Sequence, residues 1–175
     1  LWCLQEKNQD EMTLKKCQEE NNETLTLSGH DWSFIPQANG SVLIKKTSTG
    51  EVLRFANGKE NSLAKNVEHG RFNKTNEKII LWNNFEIWLY DEKKDKQELI
   101  LRQSAKIHDV RWVDKNDYAL FSDENGLRIV ELDSTEKNQT FSVSDTQWES
   151  WIITGDEKKV VGVEHGNFVS ILLQE

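Results

Sequence analysis

The chain has one proline, one methionine and two cysteines among its 175 residues. Cys3 and Cys17 are too few for a disulfide framework and fall short of the four ligands that a structural zinc site needs. No apolar run approaches the roughly 18 residues a membrane-spanning helix requires, and no charged-then-apolar leader precedes a small-residue cleavage site. No membrane insertion by this segment is expected. Basic charge is also short, since 22 Lys and Arg against 30 Asp and Glu leave a formal charge of −8. Binding a phosphate backbone draws on clustered Lys and Arg to release counterions, so nucleic acid is not an expected partner. The chain carries no Gly-x-Ser-x-Gly elbow, no phosphate-cradling Gly loop and no paired metal-carboxylate motif. No residue is assigned a catalytic, cofactor-binding or metal-ligating role.

Seven Trp and seven Phe are present, anchors that a disordered polymer lacks. The stretch Leu81-Trp82-Asn83-Asn84-Phe85-Glu86-Ile87-Trp88-Leu89-Tyr90-Asp91 reads as the end of an apolar strand, a tight Asn-Asn turn and a second strand. The pattern returns at 118–133, turning at Asp123-Glu124-Asn125-Gly126. Residues 1–18 match the segment 87–101 and are expected to form a hairpin occupying the third and fourth strand positions of a sheet, followed by a solvated loop at 19–23. If the register sets Cys3 across from Cys17, a disulfide can form; two unpaired thiols are the expected state. Asn22, Asn39, Asn73 and Asn138 head Asn-x-Ser/Thr triplets, and chance supplies about half of them in so Asn-rich a chain.

Three histidines set the register. His30, His69 and His108 stand 39 residues apart, and one further step falls on Gln147. Phe34, Trp112 and Trp151 each follow an anchor by four positions, whereas Phe72 comes one residue early. After each anchor comes an apolar run at 41–44, 78–82, 118–121 or 159–163, apolar at consecutive positions and therefore covered on both faces. Third strands are expected at 51–55, 85–91, 127–133 and 168–173. Polar, alternating outer strands are expected at 98–102 and 140–144, and loosely within 60–65. Four short strands per unit and a period near 40 describe a β-propeller blade. The expected fold is all-β, a partial propeller of four-stranded antiparallel blades with about 4 to 4.5 blades present. The hairpin and linker fill 1–27, three blades fill 28–66, 67–105 and 106–144, and an incomplete last blade fills 145–175. A sandwich would not repeat at fixed spacing, and a helical solenoid would need a 3.6-residue period.

Gly29-His30 resembles the pair that opens a WD repeat, and Ile87-Trp88-Leu89-Tyr90-Asp91 and Ile129-Val130-Glu131-Leu132-Asp133 resemble the third-strand pattern of TolB-like repeats. The closing Trp-Asp dipeptide of WD repeats is absent, so the chain is similar to the looser bacterial type of the WD-repeat and TolB-like propeller family. That resemblance implies an interaction platform in an envelope or secreted, extracytoplasmic setting.

The two end sheets of a partial propeller are expected to expose apolar faces and unpaired edges, covered by a protein partner or a second copy that completes the propeller. The expected function is a non-catalytic protein-interaction scaffold. The alternatives are the propeller portion of a larger hydrolase or lyase, or a carbohydrate-binding propeller. The anchor histidines could in principle ligate a central metal, and His30-Asp31 or His108-Asp109 could form a catalytic pair. Loop-bracing roles are preferred, because adjacent strand residues point to opposite sides. Trp82, Trp88 and Trp148 are read as core in preference to a stacking platform. Asp123–Gly126 is read as a hairpin turn rather than a calcium loop, and His165 as a turn residue.

Overall fold

A computed structural model describes residues 2–17, 24–35, 42–56, 59–75, 77–113, 117–132 and 139–173. The acidic run at 19–23, Ser41, Asp133 and the triplet asparagines Asn22, Asn39 and Asn138 lie outside them. Among the described residues every regular element is a β-strand. None of them is in a helix long and apolar enough to cross a membrane. The chain divides into two compact units, residues 1–70 and 71–175.

In the first unit, β1 (Trp2–Asn8), β2 (Glu11–Lys16) and β3 (Thr24–Ser28) form a three-stranded antiparallel sheet. β4 (Trp32–Ile35), β5 (Val42–Lys46), β6 (Val52–Ala56) and β7 (Lys59–Ala64) follow as a four-stranded meander. Leu14 and Leu27 from the first sheet join Val42, Ile44 and Phe55 from the second in one apolar cluster. The period-2 alternation of β2 and β3 puts Leu14 opposite Leu25 and Met12 opposite Leu27 on that inner face. The other face carries Gln5, Lys7, Thr13, Lys15, Thr24 and Thr26. There Lys7 donates to Thr26 Oγ1 at 3.4 Å and pairs with Glu11 at 3.2 Å. An exposed end face of this sheet was expected to be apolar; it is polar at Gln5, Lys7, Thr13, Lys15, Thr24 and Thr26, with the Cys3 and Cys17 side chains also on this side.

The opening hairpin forms as expected but continues into β3, so part of the stretch assigned to a linker is a strand. β1 and β2 take the second and third strand positions of a blade, not the third and fourth, because β3 supplies the outer one. Cys3 lies opposite Lys15, one diagonal step from Cys17 on the same side of the sheet. Their Cα atoms are 5.4 Å apart and the two are joined in a disulfide. The expectation of free thiols is therefore overturned.

The second unit holds three sheets. β8 (His69–Phe72), which spans the division, β9 (Lys78–Trp82), β10 (Glu86–Asp91) and β11 (Lys96–Arg102) form the first. β12 (Ile107–Val113), β13 (Tyr118–Asp123), β14 (Gly126–Glu131) and β15 (Thr140–Ser144) form the next. β16 (Ser150–Ile153), β17 (Lys159–Glu164) and β18 (Asn167–Leu172) form a last sheet of three. Ala119 and Phe121 of β13 pack toward Ile80, Trp82 and Ile87, while Leu120 between them packs toward Trp151 and Val160. A strand sandwiched this way needs apolar side chains at consecutive positions, which is the signal in its sequence. Fully burying Leu120 or Phe121 stabilises by roughly 1.5–3 kcal/mol each. β17 departs from this pattern, since Val160 is buried but Val161 and Val163 are only half-buried.

Turns close the hairpins with the residues expected. Asn83 Oδ1 accepts the backbone N–H groups of Phe85 at 2.8 Å and Glu86 at 2.9 Å. Between Glu164 and Asn167, His165 and Gly166 both have positive φ, 48° and 76°, the two-residue turn that matches strand twist.

Candidate functional site

Two of the four anchors of the 39-residue period, His30 and Gln147, act on turns. His30 Nε2 lies 2.6 Å from the carbonyl of Gln9, in the β1–β2 turn. Gln147, the equivalent three repeats on, donates Nε2–H to the carbonyl of Glu124 in the β13–β14 turn at 3.0 Å. Each therefore ties the segment leading into its own sheet to the hairpin turn of the preceding one. Asp31 looks elsewhere: the hydroxyl and backbone N–H of Ser48 hold its carboxylate below the usual range, and the N–H lies 2.9 Å from Oδ2. His30 and Asp31 are thus committed to different loops and form no catalytic pair. His69 is exposed on β8. His108 is exposed on β12 at a register shift that adds one residue ahead of Trp112. Among the described residues no group of three or more His, Cys, Asp or Glu side chains is placed to hold a metal.

Trp82 and Trp88 do not share a platform. Trp82 pairs with Ile87 and Trp88 with Leu81, so alternation sends the two indoles to opposite faces of one sheet. Trp148 donates to Ser144 Oγ at 3.2 Å and lies over Gly162, where an added Cβ would come within 2.4 Å of its ring. Phe34 is exposed, while Trp112 and Trp151 are buried anchors. The Asp123 turn is structural: Oδ1 accepts Asn125 N–H at 2.7 Å, and Oδ2 faces Gln103 Nε2 at 3.1 Å and Arg128 Nε at 3.3 Å.

A cleft of about 760 Å³ lies beside β12 and β16 in the second unit. His108, Asp109 and Arg111 line one side; Gln147, Trp148, Glu149, Ile152, Val163 and Phe168 line the other. Asp109 Oδ2 accepts Arg111 Nε–H at 2.8 Å, and its Oδ1 is 3.7 Å from Arg71 Nη2. Arg71 also donates Nη1–H to the Val110 carbonyl at 2.9 Å, while its own carbonyl accepts Trp112 Nε1–H at 2.9 Å. Arg111 lies over the Trp151 ring, 4.7 Å from its centroid. Partial burial lowers the pKa of Arg71, opposed by Asp109 and reinforced by Arg111, yet a guanidinium stays charged at neutral pH. The carboxylate of Asp109 is therefore committed to two cations, and the cluster cross-links β8, β12 and β16.

Arg71 and Arg111 were not singled out from the sequence. The signal was present, because each stands immediately before an aromatic anchor, where the other repeats carry Ser33 and Ser150.

The cleft continues onto the outer face of the last sheet. That face presents the rows Ser150–Val163–Phe168 and Ile152–Val161–Ser170, with Lys159 beside Leu172. Phe168, Leu172 and Ile152 are 88%, 56% and 55% exposed.

No family model matches the chain, and no curated protein does. Solved structures do. The chain is similar to the extracellular domain of BT4673 from B. thetaiotaomicron, named as a candidate one-component system, at 13% identity and TM-score 0.63 over 98% of this chain. It is also similar to dihydro-heme d1 dehydrogenase NirN in complex with DHE, at 10% identity and TM-score 0.65 over 99%. The C-terminal WD40 domain of Sif2 matches at 10% identity and TM-score 0.58 over 98%. The fold is a partial β-propeller. At these identities the likeness establishes the fold alone, and the chain spans 28%, 41% and 57% of those three solved chains. Among the described residues there are five antiparallel sheets, three of them four-stranded and two three-stranded, as a partial propeller requires.

Proposed function

We propose that the chain is a non-catalytic protein-interaction scaffold, a propeller segment of the looser WD-repeat and TolB-like type, whose contact surface is the outer face of the β16–β18 blade. The observation that supports this is the run of Ile152, Phe168 and Leu172 on one face, each more than half exposed. Solvent-facing apolar clusters of this kind mark sites that another surface covers. The Cys3–Cys17 disulfide supports an oxidising, extracytoplasmic setting, where such bonds persist.

The test is the fluorescence of ANS, which reports accessible apolar surface. The native protein is expected to bind the dye, and the double variant Phe168→Lys with Ile152→Lys to lose most of that signal at unchanged far-UV circular dichroism. A native protein that leaves the dye dark would overturn the proposal.

A further inference from the structure

We draw no further inference here: the strongest candidate, the cleft beside β12 and β16 with His108, Arg111, Trp148 and Glu149 in its lining, is walled in part by Ile152, Val163 and Phe168 of the outer face of the last sheet, and nothing in the structure shows what covers that face.

Discussion

Replacing Trp112 by alanine measures how far the repeat register translates into packing. Trp112 lies on β12, 7% exposed, in the cluster with Ile80, Trp82, Ile87 and Phe121. Its Nε1–H donates to the Arg71 carbonyl at 2.9 Å. An aromatic of this size buries roughly 200 Å², which at about 25 cal/mol per Å² is roughly 5 kcal/mol, and measured Trp→Ala costs run about 3–5 kcal/mol because the site partly collapses. The hydrogen bond contributes about 1 kcal/mol of this. Trp112→Phe keeps most of the volume and loses the bond, so it is expected to cost only about 1–2 kcal/mol. Urea unfolding followed by far-UV circular dichroism avoids the change in fluorophore. At a slope of about 2 kcal/mol per M the alanine variant should lower the midpoint by roughly 2 M. A loss under about 1 kcal/mol would mean that β12 is misplaced and the aromatic marker is not a core position.

Gly126 has φ +131°, and a Cβ there would stand 2.1 Å from the Ser144 carbonyl oxygen, so Gly126→Ala is expected to cost about 3 kcal/mol from strain and displaced backbone, with an effect under 1 refuting the turn geometry. Reducing Cys3–Cys17, 14 residues apart, is expected to remove about 3 kcal/mol from the unit at residues 1–70, seen as a lower urea midpoint with dithiothreitol; an unchanged midpoint refutes the staple. Four carboxyls are held below their ordinary values. Glu11 owes this to Asn8 and Lys7, Asp31 to Ser48, and Asp156 to the Thr154 hydroxyl and then the Lys158 N–H; at Asp91 burial pushes upward but is outweighed by the Lys94 and Lys93 N–H groups. Between the folded and unfolded values the unfolded chain binds more protons, so this stability is present above about pH 4–5 and lost as pH falls further; a melting temperature that rises on acidification refutes it.

The inner strands were legible because β9 and β13 are buried from both sides, a condition that only consecutive apolar residues satisfy. β7, with its pattern of exposed residues ending in Leu63 and Ala64, was placed only loosely, since an outer strand with most side chains in water leaves little periodicity to read. β3 was missed for a related reason. Thr24, Thr26 and Ser28 alternate with Leu25 and Leu27 directly after an acidic run, and five residues carry little weight against that context. The disulfide turned on register. Cys17 is diagonal to Cys3 across a hairpin whose turn includes a one-residue shift, and neither cysteine's sequence neighbourhood encodes that shift.

The period located the anchors but not what distinguishes one repeat from the next, and the chemistry of this chain lies in those differences. Serine precedes the aromatic anchor at Ser33 and Ser150, whereas Arg71 and Arg111 occupy the same place in the middle repeats, where they can share Asp109 and cover Trp82 and Trp151. Blade identity along the chain is thus set by residues that break the repeat. The same holds for the end faces. In β1–β3 a face of Gln5, Lys7, Thr13, Lys15, Thr24 and Thr26 stands opposite an apolar one. The β16–β18 blade has no such change of polarity: Trp151 and Val160 on one side are matched by Ile152, Val161, Val163 and Phe168 on the other. That second apolar face is exposed at Ile152 and Phe168. Substituting Phe168 and Ile152 by lysine should therefore leave the fold standing while removing whatever that face binds, whereas the same change at Val160, fully buried on the opposite side, should unfold the blade.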